Sequence, residues 1–140
     1  MMVRRSVGAV ALVLLLVSAG CTTVRPGGAI AALVPDSTQG LDEKIQGGLV
    51  SGPAADGLGR SERRLALAAE FNALEYGQSG KPIRWQGGAG RSGEVVPAQP
   101  YRVGRQDCRQ YMHNLTVSGQ TRTVKGTACR NADGTWTTLT

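Results

Sequence analysis

The amino-acid sequence predicts an α+β domain in which one N-terminal helix packs on a small antiparallel sheet of four or five strands. A run without Gly or Pro, rich in Ala, Leu and Glu, indicates the helix. Thr-, Val- and Tyr-bearing runs separated by Gly-containing turns indicate the strands. With 140 residues, the chain has room for one modest domain preceded by a signal peptide and a flexible Gly/Pro-rich tether.

Residues 1–20 have the order of a secretory signal. Arg4 and Arg5 precede an apolar run, and small residues follow it, as is typical of segments that are cut off after export. The apolar run from Val7 to Ala19 has 13 residues, whereas a membrane-spanning helix needs roughly 20. We therefore expect cleavage rather than a retained transmembrane anchor.

The cysteine that follows this segment gives it a more specific meaning. The sequence Ser18-Ala19-Gly20-Cys21 resembles a bacterial lipoprotein signal, although Ser18 stands where that signal more often has Leu. The resemblance implies that Cys21 is the lipidation site and holds the mature protein in outer-membrane lipid. The residue after the cysteine is Thr22, whereas an aspartate at this position would resemble an inner-membrane retention signal. The outer membrane is therefore the expected location. The alternative for Cys21 is an ordinary thiol after a plain signal cleavage site.

Composition and charge divide the mature chain near residue 60. Residues 22–60 contain 8 Gly and 3 Pro, which interrupt each apolar period. We therefore predict a lipidated, flexible tether over residues 21–60. This part carries three Lys/Arg and four Asp/Glu, whereas residues 61–140 carry eleven and six. The basic character thus belongs to the predicted domain, residues 61–140.

The elements of this domain follow from local patterns. The helix is predicted between Ser61, a favourable N-cap, and Gly77, a usual helix stop. Its buried stripe is expected to consist of Leu67, Phe71 and Leu74. The predicted strands are Pro82–Gln86, Glu94–Tyr101, Arg109–Val117, Gln120–Cys129 and Thr135–Leu139. The second of these contains Pro97 and Pro100, which places it at a sheet edge.

Cys108 and Cys129 are predicted to form a disulfide across a hairpin. If Ser118-Gly119 is a two-residue turn, Cys108 lies opposite Cys129 in a non-hydrogen-bonded pair. The Cα atoms of such a pair are roughly 4.5–5.5 Å apart, within disulfide reach, and a secreted compartment favours oxidation. The alternatives are two reduced buried thiols or a metal pair, for which one His and no second Cys pair supply too few ligands.

The same register sorts the hairpin side chains into two faces. Tyr111, Leu115, Val117, Val124 and Ala128 point one way, whereas the cysteines, Met112 and several Thr point the other. Asp107 is expected beside Arg130, and Tyr111 over Gly126. His113 falls on the apolar side next to Val124, where a packed residue is a better interpretation than a general base.

An ordered set of short motifs in this domain resembles one known family. The set is Leu65–Gln78, Ile83-Arg84-Trp85, Gly90-Arg91-Ser92-Gly93, Cys108-Arg109-Gln110-Tyr111, Gly126-Thr127-Ala128-Cys129-Arg130 and Asp133-Gly134-Thr135-Trp136. It resembles the C-terminal domain of rickettsial 17 kDa surface antigen-type outer-membrane lipoproteins. The resemblance implies a lipid-anchored outer-membrane protein with a small helix-plus-sheet domain and no known catalysis. Family members often carry a glycine zipper before the domain, and this chain has only fragments of that pattern.

We therefore expect a non-enzymatic structural or interaction role in the bacterial cell envelope. Basic side chains on or near the hairpin suit an anionic surface, such as lipopolysaccharide phosphates or peptidoglycan carboxylates. These candidates are Arg84, Arg91, Arg102, Arg105, Arg109, Arg122 and Lys125. The alternative is that they are solvated strand and loop residues, with Arg130 paired to Asp107. Nucleic acid, a cofactor and a metal are not expected.

Two other functions are weaker hypotheses. A periplasmic or surface inhibitor of a secreted enzyme such as lysozyme would use the glycine-rich loop Gly87–Gly93 with Arg91, but lysozyme is itself basic, which disfavours a basic partner. An enzyme lacks a visible site, because Glu70 and Glu75 do not share a helix face. The glycine-rich loop also lacks the Lys-Ser/Thr of a phosphate-binding loop.

Overall fold

The computed structural model describes residues 40–139. The helical elements are α1 (Leu41–Lys44), two 3-10 helices (Leu49–Ser51 and Pro53–Ala55) and the long helix α2 (Arg60–Glu75). The strands are β1 (Ile45–Gln46), β2 (Ile83–Gln86), β3 (Ser92–Val103), β4 (Gln106–Val117), β5 (Gln120–Arg130) and β6 (Trp136–Leu139). The predicted signal peptide, Cys21 and residues 22–39 lie outside the described residues. None of the helices within 40–139 has the length and apolarity to cross a membrane.

All six strands belong to one curled sheet in the order β1-β6-β5-β4-β3-β2. The predicted fold of one helix on a sheet of four or five strands is therefore wrong. The domain is a mostly β half-barrel with one long helix, and only the broad α+β class is retained. The sixth strand, β1, pairs in parallel with β6, whereas all other neighbours are antiparallel. Two residues are too few to show the alternation by which a strand is recognised in a sequence.

Residues 40–60, which the sequence analysis assigns to the tether, are part of the folded domain. Ile45 is buried and lies opposite Trp136, and Val50, Ala55 and Leu58 also join the core. Glycine serves close packing here rather than flexibility. A Cβ at Gly48 would lie 2.5 Å from Leu67 Cδ1, so only glycine lets this segment approach α2.

Helix α2 contacts β2, β3 and β4 and buries the predicted stripe against them. Leu67 and Leu74 are buried, and Phe71 is partly buried at the margin of the core. The helix begins two residues earlier than predicted, with Gly59 rather than Ser61 as the N-cap. The Ser61 hydroxyl instead donates to the neighbouring Glu62 carboxylate.

Strand β3 is an edge over only part of its length. It pairs with β4 from Ser92 to Val103 but with β2 only from Ser92 to Val95. Pro97 and Pro100 lie beyond the part paired with β2, and the register with β4 shifts between them. The two prolines lack a backbone N–H, and they lie where β3 makes no backbone hydrogen bonds with β2, so no hydrogen bond between these two strands is lost.

The β4–β5 hairpin has the register expected from the sequence. Its turn residues Ser118 and Gly119 both have positive φ, at 52° and 79°. Cys108 lies opposite Cys129, and a disulfide joins them across Cα atoms 4.0 Å apart. Tyr111 lies opposite Gly126, but the space over this glycine is filled by Leu49, whose Cδ2 would lie 2.7 Å from an added Cβ.

Candidate functional site

The two faces of the sheet have different environments. On β4, Arg109, Tyr111 and His113 point toward α2 and contact it. The residues between them point the other way, because side chains alternate along a strand. We call this opposite side, away from α2, the open face, and it includes Met112, Asn114 and Thr116 together with their partners on β3 and β5.

Arg109 is a predicted surface residue that the structure places in the interior. Only 5% of it is exposed. Its Nη1 donates to the carbonyl oxygens of Ala73 and Leu74 at 2.9 and 3.1 Å, and its Nη2 donates to Gly77 O at 2.7 Å. These oxygens belong to the C-terminal end of α2, which has unpaired carbonyls and the negative end of the helix dipole. Arg109 therefore caps α2 and is not part of an anion-binding surface; its burial lowers its pKa.

Three other predicted surface arginines have partners within the domain. Arg102 Nε lies 2.9 Å from Asp107 Oδ1, and Arg84 Nε lies 3.4 Å from Glu94 Oε2. Arg91 Nε donates to the carbonyl oxygen of Gly57 at 2.7 Å, and Arg91 also lies 3.9 Å from Glu62. Through Arg91, the glycine-rich loop is held against residues 57–62. This contact argues against its use as a projecting inhibitory loop.

Arg130 pairs with Glu75 on α2. The sequence had suggested Asp107 as its partner. The Nε and Nη2 of Arg130 donate to the two carboxylate oxygens of Glu75, each at 3.1 Å. The Trp136 indole N–H donates to the same carboxylate at 2.8 Å. Because Arg130 and Trp136 hydrogen-bond its charged form, the pKa of Glu75 lies below its ordinary value.

The remaining predicted cations are Arg105, Arg122 and Lys125. All three side chains are exposed, and none of them makes a hydrogen bond or an ion pair with another residue of the described range 40–139. They lie apart: Arg105 is in the β3–β4 turn, Arg122 follows the β4–β5 turn, and Lys125 is on the open face opposite Met112. The structure therefore does not gather the seven predicted residues into one continuous patch.

A buried polar network that the sequence analysis missed links α2 to the sheet. Trp85 Nε1 donates to His113 Nε2 at 2.8 Å, which leaves the ring proton on Nδ1. That Nδ1 lies 2.7 Å from Glu70 Oε1 and donates to it. The other Glu70 oxygen accepts from the Leu49 backbone N–H at 2.9 Å and from the Tyr111 hydroxyl at 3.3 Å.

The network is built for structure rather than for catalysis. His113 and Glu70 are 0% exposed, and both ring nitrogens of His113 are occupied. Burial and the neighbouring Glu70 raise the pKa of Tyr111, so its hydroxyl stays protonated and donates. Within residues 40–139, no group of three or more His, Cys, Asp or Glu side chains is arranged to hold a metal ion.

One sequence signal pointed to Glu70. It lies three residues after Leu67 and four before Leu74, which is a position on the buried stripe. A carboxylate on such a stripe requires donors from the opposing layer. His113 was correctly placed on the apolar side of the hairpin, but its partner depends on how α2 docks, which no local pattern encodes.

Comparisons with known proteins agree with the motifs of the C-terminal region. A family model described as "17 kDa outer membrane surface antigen" matches residues 72–137. The "17 kDa surface antigen" proteins of Rickettsia bellii (strain RML369-C) and Rickettsia rickettsii are each 35% identical over 82 residues, which cover 57% of this chain and 52% of each relative. That of Rickettsia prowazekii (strain Madrid E) is 36% identical over 77 residues, 54% of this chain and 48% of the relative.

The chain spans about half the length of the curated relatives it matches. No solved structure matches it. The resemblance predicted from the sequence is confirmed for the C-terminal region.

Proposed function

We propose that this protein, whose C-terminal region belongs to the 17 kDa surface antigen family, is a lipid-anchored protein of the bacterial outer membrane with a non-enzymatic interaction role. The observation that carries the non-enzymatic part is the state of the only histidine in the sequence. His113 is fully buried with both nitrogens bound, so it has no free nitrogen to act as a base.

Acylation of Cys21 is the proposed anchor. The support for this anchor is the order of residues 1–21: basic residues, an apolar run, small residues and then the cysteine. Acylation would attach the protein stably to the membrane, because two or more acyl chains give stable attachment whereas one gives only weak attachment.

The test of the anchor is the intact mass of the mature protein from bacterial envelopes, compared with a Cys21→Ser variant. We expect a mature chain that begins at Cys21, carries the mass of its acyl chains and fractionates with the outer membrane. The variant should lack this mass. An unmodified Cys21 on a freely soluble mature protein would contradict the anchor.

Contact with an anionic envelope surface is the proposed interaction. Arg105, Arg122 and Lys125 support it, because they are the predicted contact residues that the domain leaves without an internal partner in its described part. Such contacts are electrostatic and weaken with salt.

Retention of the protein on purified lipopolysaccharide or on peptidoglycan sacculi at low and high salt tests this contact. We expect retention at low salt, and a marked loss when the three residues are replaced by Ser. The matched control replaces Arg84, Arg102 and Arg91, which already have partners in the domain. No retention on either material at low salt would overturn the proposal.

A further inference from the structure

The open face of the sheet carries exposed apolar side chains. Tyr101, Val103 and Leu139 are 43%, 58% and 53% exposed, and they are three of the five exposed large hydrophobic residues in the described part of the chain. Their strand partners are Cys108, Gln106 and Thr127, which all point away from α2. The fold therefore collects these side chains on one face without covering them.

A groove of about 780 Å³ continues this apolar surface toward the middle of the sheet. Val96 and Met112 lie opposite each other along it, and the loop at Ser79 and Gly80 forms one border. Lys125 lies opposite Met112 and lines the groove as well. The open face thus combines apolar side chains with a cation that has no partner among residues 40–139.

The charge of the open face is positive. Within the described strands, Glu94 is the one acidic residue that the register places there, and Arg84 and Asn114 both contact its carboxylate. Lys125 consequently remains the uncompensated charge. A face with apolar side chains and an unpaired cation is complementary to an anionic lipid surface, in which tyrosine and lysine side chains are favourable at the interface.

Other occupants fit these observations less well. A second copy of this chain would bring two uncompensated Lys125 side chains together. A polypeptide strand added at the free part of the β3 edge would meet Pro97 and Pro100, which blunt such an edge. A peptidoglycan surface offers anions but little apolar material for Tyr101, Val103 and Leu139.

We propose that the open face lies on a bilayer with anionic headgroups, with Tyr101, Val103 and Leu139 at the interface and Lys125 near the headgroup phosphates. This inference rests on the proposed function, because a lipid at Cys21 would hold the domain at a membrane. It adds the orientation of the domain and the class of its partner.

The experiment is flotation of residues 35–140 with phosphatidylcholine vesicles that contain or lack phosphatidylglycerol. This fragment contains all six strands, the long helix α2 and every buried core residue of the described range 40–139. The variants are Tyr101→Ser with Val103→Ser, and separately Lys125→Glu. The matched controls are Tyr76→Ser, a 74% exposed tyrosine just after α2, and Arg60→Glu, an exposed arginine at the start of α2.

We expect binding to the anionic vesicles only, a loss of about fivefold or more for each open-face variant, and no change for the controls. Circular dichroism verifies that all variants are folded. Unchanged binding by the open-face variants would overturn the inference, because another surface would then make the contact.

Binding to sacculi without binding to anionic vesicles would also overturn the inference, but it would leave the anionic-surface role intact. Binding to neither material would overturn both. The anchor is judged separately by the mass of Cys21, so failure of the open face and failure of the anchor are distinguishable.

Discussion

Arg109 connects the sheet to the end of α2 through all three of its guanidinium nitrogens. Besides the three carbonyl oxygens of the helix end, its Nε donates to Ala98 O on β3 at 2.8 Å. The planar guanidinium has several donors in fixed directions, whereas a lysine ammonium is a compact point charge. The position therefore requires arginine rather than a positive charge in general.

We predict that Arg109→Lys lowers the free energy of unfolding by about 2–4 kcal/mol, because buried carbonyl oxygens lose their donors. Denaturant unfolding measures the change. Arg105→Lys, at an exposed turn position, is the control and should change stability by less than about 0.5 kcal/mol. Equal effects of the two substitutions would show that Arg109 does not cap α2.

Glu75 determines part of the pH dependence of stability. Its hydrogen bonds with Arg130 hold its pKa in the folded state below the ordinary 4.5. A carboxyl group with a lowered folded-state pKa stabilises the fold above its unfolded-state pKa and loses this contribution as the pH falls through the folded-state value.

We therefore predict that stability declines as the pH falls below about 4.5, and that Glu75→Gln flattens this decline. Urea unfolding at neutral pH and at successively lower pH values measures the slope. Glu43→Gln, which changes an exposed carboxyl group of α1, is the control and should leave the slope unchanged. The same slope for Glu75→Gln and the unsubstituted protein would contradict this role.

Local patterns predicted single residues well where the partner lies in the same hairpin. The positions of Cys108, Cys129 and His113 follow from counting outward from one two-residue turn. The partners of Arg109, Arg130 and Glu70 lie on another element. For this reason Arg130 was expected beside Asp107, although its partner is Glu75 on α2. Which side chains pair between α2 and the sheet depends on how the helix packs on the strands. The spacing of residues along the chain does not determine this packing.

Among the elements, the strands after Gly77 were predictable and the segment before α2 was not. Long strands show alternation over many residues, so their positions are visible in the sequence. Residues 40–60 form pieces of two to four residues, each too short to show a period. Their glycines looked like signs of flexibility, but at Gly48 and Gly126 they allow close packing of backbone and side chains.

We predict that the fragment 61–140 is much less stable than the fragment 35–140. The shorter fragment loses β1 and the burial of Ile45, Val50 and Leu58, each worth about 1.5–3 kcal/mol if fully buried. Thermal unfolding by circular dichroism measures the difference. Equal melting temperatures of the two fragments would show that residues 40–60 are dispensable for the fold.

For the whole molecule, the disulfide adds stability to a small domain with few aromatic residues. It joins residues 21 positions apart, and closing a loop of this length contributes on the order of 3 kcal/mol by restricting the unfolded chain. The broad α+β class and the resemblance of the C-terminal region to the 17 kDa surface antigens were predictable from motifs. The strand number was not, because β1 is defined by its parallel pairing with β6 alone.

We predict that replacing both cysteines by Ser lowers the free energy of unfolding by about 3 kcal/mol while the fold is retained. Denaturant unfolding and the dispersion of amide resonances measure the two effects. Reduction of the unsubstituted protein should reproduce the loss, and the double variant should show no further response to reductant. Full stability of the double variant would contradict the prediction.

The folding of residues 40–60 limits how far the domain could move from the proposed lipid anchor at Cys21. A fully extended chain advances at most about 3.5 Å per residue, so the 18 residues from 22 to 39 span no more than ~60 Å. The 39 residues from 22 to 60 would have spanned up to ~130 Å. Halving this radius would reduce the accessible volume about eightfold and would raise the effective concentration of the domain beside the proposed membrane by the same factor.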